Sequence, residues 1–156
     1  KPMTPAIDQL KKLGITHSLH EYTHDASAAS YGLEAATKLG VHADIVFKTL
    51  VVETHTNTLA VAVLPVDHQL NLKRMAKAIG AKKVSMANPA AVSRSSGYVL
   101  GGVSPLGQKR TLPTVIDESA LSHKSMYVSG GHRGLEIELA AQDLATATNA
   151  KFAGLT

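Results

Sequence analysis

The sequence predicts an α+β fold, a single domain over 1–156 in which one curved, barrel-like mixed β-sheet carries helices against it. Two observations lead there. Short apolar segments that read as strands outnumber the segments with helical spacing, and several are joined by links short enough for hairpins. Four of the helical segments carry the same punctuation, a Ser, Thr or Asn before them and a glycine after them. No repeat and no linker divides the chain.

Thr4 caps the first expected helix, Pro5 suits its first position, Ile7, Leu10 and Leu13 form its apolar stripe, and Gly14 stops it. Met3-Thr4-Pro5 reads as a natural start, with Lys1-Pro2 a slight extension before it. Ile15 to Tyr22 alternates as a strand, with Ile15, His17 and Leu19 on one face. His17, His20 and His24 do not converge as metal ligands, because residues three apart on a strand point to opposite faces. No metal and no cofactor is expected. Ser30 to Leu39 forms a second helix stopped by Gly40, and a turn at His42-Ala43-Asp44 leads into Val46 to Val52.

Thr58 to Leu64 is the next strand, joined to the previous one by the hairpin link Glu53 to Asn57 and ended by Pro65. Asn71 to Ile79 is helical, with Leu72, Met75, Ala76 and Ile79 inward and Lys73, Arg74 and Lys77 outward. Lys82 and Lys83 follow. This basic stretch reads either as a phosphate footprint or as a solvated helix face. Val84 to Met86 is a short strand, and Asn88-Pro89 opens a helix closed by Gly97. Thr114 to Ile116, Ser125 to Ser129 and Leu135 to Ala140 are strands, the last with Leu135, Ile137 and Leu139 inward and Glu136 and Glu138 on the wet side. A final helix covers Gln142 to Thr148, and Lys151-Phe152-Ala153 supplies an edge strand.

Composition narrows the function classes. Hydrophobic content is 44% and charged content 18%, as in a globular domain. Four Tyr, two Phe and no Trp leave the core to aliphatic residues and give little for stacking single-stranded bases. The absence of cysteine excludes disulfides, thiolate zinc sites and a cysteine nucleophile. No apolar stretch reaches the roughly 18 residues of a membrane span, so cytoplasm is the default expectation. The formal charge of +4 allows a polyanionic partner without demanding one.

Three stretches carry candidate chemistry. In Val46-Phe47-Lys48-Thr49-Leu50-Val51-Val52 both strand faces are mostly apolar, and Lys48 stands between Val46 and Leu50. An ammonium there either awaits an anionic ligand or snorkels to water over its own stem. In Tyr98 to Gly107, Gly101 and Gly102 interrupt an apolar segment, which marks a bulge or a close approach to the backbone by a ligand. Ser129-Gly130-Gly131-His132-Arg133-Gly134 is a glycine-rich turn, able to bind an anion or simply to close a hairpin.

Val46-Phe47-Lys48-Thr49-Leu50, Gly101-Gly102-Val103-Ser104-Pro105 and Tyr127-Val128-Ser129-Gly130-Gly131, in that order, resemble the YbaK family of free-standing Cys-tRNA(Pro) deacylases, within the superfamily of prolyl-tRNA synthetase editing domains. The resemblance covers nearly the whole chain. It implies cleavage of the ester between mischarged cysteine and the terminal ribose of proline tRNA, with prolyl-tRNA synthetase as a partner. It implies that Lys48 holds the substrate near the terminal adenosine and its phosphate and that the backbone at Gly101 lies against the aminoacyl group. Tyr22, Thr49, Gly102, Ser104, Pro105, Ser129, Gly130 and Gly131 would shape the substrate pocket, and Lys73, Lys77, Lys82 and Lys83 would touch RNA. Glu136 departs from the family pattern, which carries aspartate there, and is left without a role.

Ser104 and Ser129 have no histidine and carboxylate at suggestive positions, so no protein nucleophile is evident. The resemblance implies instead that the substrate thiol attacks its own ester. Related proteins of the superfamily release alanine from proline tRNA with water, and a non-catalytic module binding tRNA or synthetase is the reading from another class.

Overall fold

The structure is a computed structural model that describes residues 3–28 and 30–156; Lys1-Pro2 lie outside the described residues. Among the described residues there are five α-helices, α1 (Pro5–Leu13), α2 (Tyr31–Leu39), α3 (Leu72–Ile79), α4 (Pro89–Ser96) and α5 (Ala141–Thr148). The strands are β1 (Ser18–Glu21), β2 (Phe47–Thr54), β3 (Leu59–Pro65), β4 (Val84–Met86), β5 (Thr114–Asp117), β6 (Met126–Ser129), β7 (Leu135–Leu139) and β8 (Lys151–Ala153).

Local rules set the helix ends. The side chains of Thr4, Ser30, Asn71 and Asn88 each accept a backbone N–H from the first turn of their helix, and Gly14, Gly40, Gly80 and Gly97 close those helices at positive φ. Two expected core positions are not core. Leu13 is 54% exposed and Leu72 is 38% exposed. At the end of α1 the chain reverses at Gly14, the Ile15 N–H reaches back to the Leu10 carbonyl, and Ile15 packs on the core in place of Leu13.

The expected single sheet is two. A five-stranded mixed sheet runs β4-β2-β3-β5-β8, and an antiparallel three-stranded sheet runs β1-β7-β6. Their ladders meet at one parallel bridge, Val46 to Tyr127. No further pair extends it, because residues 43–45, just before Val46, are wound into a 3-10 turn. The sheets therefore do not join into one closed ladder.

β3 is buried on both faces. Val61 and Val63 face a core shared with Ile7 and Leu10 of α1, Val128 and Ile137 of the small sheet and Leu144 of α5. Ala60, Ala62 and Leu64 face a second core under Met75 and Ala76 of α3. β2 divides its residues in the same way, Phe47 and Val51 to the first core and Val52 to the second. A third cluster seats Ala35 and Ala36 of α2 against Val46, Val66 and Tyr127 at the junction of the sheets. The candidate site lies beside that junction.

Candidate functional site

A cavity of about 370 Å3 opens between β2, the start of α2, the 100–103 loop and the β6–β7 turn. Its size is at the small end for ligand pockets. β2 brings Lys48 and Thr49 to it, Tyr22 follows β1, Tyr31 and Gly32 start α2, and Ser129, Arg133 and Glu136 come from the small sheet. Gly32 is required by packing: a β-carbon there would stand 2.3 Å from Val66 Cγ1.

Lys48 shares a strand face with Leu50 and Val52, which pack with the α3 core, whereas Lys48 itself lines the cavity. It is half-buried and makes no ion pair among the described residues. Burial holds its ammonium below the usual lysine range, partly offset by the negative charge of Asp67. Beside it, the Thr49 hydroxyl is buried with no hydrogen-bond partner. Buried hydroxyls without partners are rare and costly.

Glu136 corrects the expectation of a wet strand face. It is 7% exposed, and burial pushes its carboxyl up to about 8. β7 is the central strand of its sheet, with Glu136 registered between His20 and Ser129, and the cavity wall covers it. Glu138, two residues on, stays half-open and bonds His20 Nε2 at 2.9 Å and the Ser125 hydroxyl. Burial also raises the Tyr22 phenol.

At the mouth, the Arg133 guanidinium carbon lies 3.5 Å from the centroid of the Tyr31 ring. Arg133 Nη1 is 3.4 Å from His24 Nε2, and His24 Nδ1 is 2.7 Å from the buried Glu34 carboxylate. Gly101, at φ +89, abuts this stack: a β-carbon there would stand 2.6 Å from Arg133 Nε and 2.7 Å from Tyr31 Cε2.

The structure thus brings Lys48, Thr49, Tyr22, Gly101 and Ser129 together around one cavity. Five other expected pocket residues do not line it, because they frame the loops behind it. Gly102 lets the 100–103 loop approach the His132 backbone, where a β-carbon would stand 2.8 Å from Cα. Ser104 and Pro105 are buried, and the Ser104 hydroxyl accepts the Leu106 N–H. Gly130 bonds Leu135 and the Thr4 hydroxyl through its backbone, and Gly131, at φ +121, packs near Tyr98 and Thr4. The glycine interruption of Tyr98 to Gly107 is a loop and not a bulged strand; the β6–β7 turn approaches its backbone at Gly102, and Arg133 of that turn with Tyr31 of α2 approaches it at Gly101.

Lys73, Lys77, Lys82 and Lys83 are exposed on α3 and the turn after it, away from the cavity lining. Among the described residues no His, Cys, Asp and Glu group is placed to hold a metal, and no helix is long and apolar enough to cross a membrane. Glu136, Tyr31 and Arg133 are the site residues that sequence reasoning missed. Counting the hairpin from Ser129 places Glu136 directly opposite it, and that signal was available; nothing local links Tyr31 to Arg133.

Residues 26–147 match the family model of the aminoacyl-tRNA editing domain. An Enterococcus faecalis protein, EbsC, described as a candidate Cys-tRNA(Pro)/Cys-tRNA(Cys) deacylase, is 40% identical over 121 residues, covering 78% of this chain and 74% of that protein. The crystal structure of a hypothetical protein, APE2540, superposes with a TM-score of 0.87 at 29% identity, covering 97% of this chain and 99% of the other. A crystal structure described as a candidate trans-editing enzyme for prolyl tRNA synthetase shares the fold, with a TM-score of 0.84 at 23% identity over 99% of both chains. The span of the family match and the identity to EbsC together show that this chain belongs to the aminoacyl-tRNA editing domain family.

Proposed function

We propose that this protein is a trans-editing deacylase that releases cysteine from Cys-tRNA(Pro), with the thiol of the substrate as nucleophile. The observation that carries the reading is the pairing, in one small cavity, of a half-buried Lys48 and a buried Thr49 hydroxyl, which among the described residues have no ion-pair partner and no hydrogen bond. Both lack something that an esterified nucleotide end supplies, an anion and a hydrogen-bonding oxygen. The likeness to EbsC points to cysteine as the amino acid.

In the reaction the cysteinyl sulfur bonds to its own ester carbonyl carbon, the bond from that carbon to the ribose oxygen breaks, and a cyclic thiolactone and free tRNA leave. The thiol proton ends on the ribose oxygen. Glu136 lines the same cavity, its carboxyl pushed up to about 8 is close in proton affinity to a thiol at about 8.5, and in this reading it relays that proton. Lys48 holds the terminal adenosine and its phosphate, and Thr49 and Tyr22 orient the aminoacyl end. Positioning of this kind supplies up to about 7 to 11 kcal/mol in good intramolecular cases.

Prolyl-tRNA synthetase is the proposed partner, the cytoplasm the proposed location and the whole chain a single editing domain. Lys73, Lys77, Lys82 and Lys83 offer RNA a weak basic surface, so tRNA identity is borrowed from the synthetase, and the isolated protein discriminates poorly among cysteinyl-tRNAs. Product analysis tests the chemistry. Thiolactone, trapped by an added amine, is the expected first product, and S-methylcysteinyl-tRNA stays acylated. Its release at the cysteinyl rate would mean water attack and overturn the thiol step.

A further inference from the structure

We infer that Arg133 is a second cationic contact for the substrate, binding a backbone phosphate of the tRNA 3′ end at the cavity mouth. The inference rests on the deacylase reading above and adds to it a residue on the wall across from β2. Arg133 is exposed, lines the mouth and has no carboxylate within 4.0 Å among the described residues. It is nevertheless held in place. Its guanidinium carbon lies over the Tyr31 ring, 3.5 Å from the centroid, and its Nη1 meets His24 Nε2 at 3.4 Å.

His24 Nδ1 lies 2.7 Å from Glu34, so the tautomer assigned from this network donates Nδ1–H to the carboxylate and leaves Nε2 as the acceptor for Arg133. Tyr31 and Glu34 stand three apart on α2 and so share a helix face. α2 therefore contacts the guanidinium directly through Tyr31 and indirectly through Glu34, which bonds His24. Among the described residues the other N–H groups of Arg133 make no hydrogen bond, and they lie in the guanidinium plane, in the fork that fits phosphate oxygens. Gly101 completes the seat, because any β-carbon there would collide with both Arg133 and Tyr31. On this account a side chain at 101 displaces Arg133 or Tyr31, whatever the Gly101 backbone does for the aminoacyl group.

The role is one of substrate binding and not of chemistry, which sets the test. Arg133→Ala is assayed on Cys-tRNA(Pro) and on 3′-cysteinyl-adenosine, which carries no phosphate. The expected result is a KM on tRNA raised about 10- to 100-fold, kcat changed little, and a loss within about two-fold on the nucleoside ester. The salt dependence of tRNA binding flattens by about 0.7 in log–log slope, as for one lost single-strand phosphate contact, and Arg133→Lys restores that slope. Equal losses on both esters would show that Arg133 only shapes the cavity, and no loss on either would show an idle surface arginine; both overturn the inference. If the wild type releases neither ester, the deacylase reading fails by itself. Direct binding of uncharged proline tRNA to wild type and Arg133→Ala then decides the phosphate contact, equal affinity and equal salt slope being the contradicting result.

Discussion

Replacing Glu136 with glutamine removes one titration and almost no volume, and its effect is readable from pH alone. Burial lifts the folded carboxyl from the ordinary 4.5 to about 8. Between those values the folded protein holds a proton that the unfolded chain has released. The contribution to stability is therefore full below the unfolded value, falls as pH rises, and levels off once the folded group also ionises. At about 1.4 kcal/mol per pH unit, this group alone costs the wild type about 4 kcal/mol between pH 5 and pH 9. Glutamine cannot ionise, so the variant escapes that loss. Urea unfolding at pH 5, 7 and 9 measures it: the two proteins agree within about 1 kcal/mol at pH 5, and Glu136→Gln is the more stable by about 3 to 4 kcal/mol at pH 9. All other groups titrate in both proteins and cancel in the difference. Parallel stability curves would refute the buried neutral carboxyl and with it the proton relay.

Two framework positions give further tests. Gly107 has φ +63, and a β-carbon there would stand 2.3 Å from the Pro5 carbonyl carbon, so Gly107→Ala lowers stability by about 2 kcal/mol or more and the melting temperature by about 5 °C or more; an unchanged melting temperature contradicts the contact between this loop and α1. The buried Tyr98 hydroxyl donates to the Leu106 carbonyl at 2.6 Å, so Tyr98→Phe costs about 1 to 2 kcal/mol in urea unfolding by leaving that carbonyl unpaired, and a neutral result would mean that water replaces the bond.

Features fixed by neighbours in sequence were legible before the structure. Thr4, Ser30, Asn71 and Asn88 cap, and their glycines stop, because both effects act within one helical turn. The β2–β3 hairpin, the β8 edge strand and Lys48 in a mostly apolar strand followed from period and spacing. Glu136 was misread because alternation tells which residues share a face and not what covers that face. The division into two sheets was hidden for a related reason, since a ladder ending at a single Val46–Tyr127 bridge depends on the 3-10 turn before Val46. Tyr31 and Arg133 meet across 102 positions, with no local pattern to announce the stack.

Deacylation of Cys-tRNA(Pro), Ala-tRNA(Pro) and Ser-tRNA(Pro) by wild type and by Lys48→Ala tests the central claim most directly. The account predicts rapid release of cysteine alone, and its loss in a Lys48→Ala protein that keeps its circular dichroism and melting temperature. Equal release of alanine would make water the nucleophile, and no release of any amino acid by the wild type would make this chain a binding module.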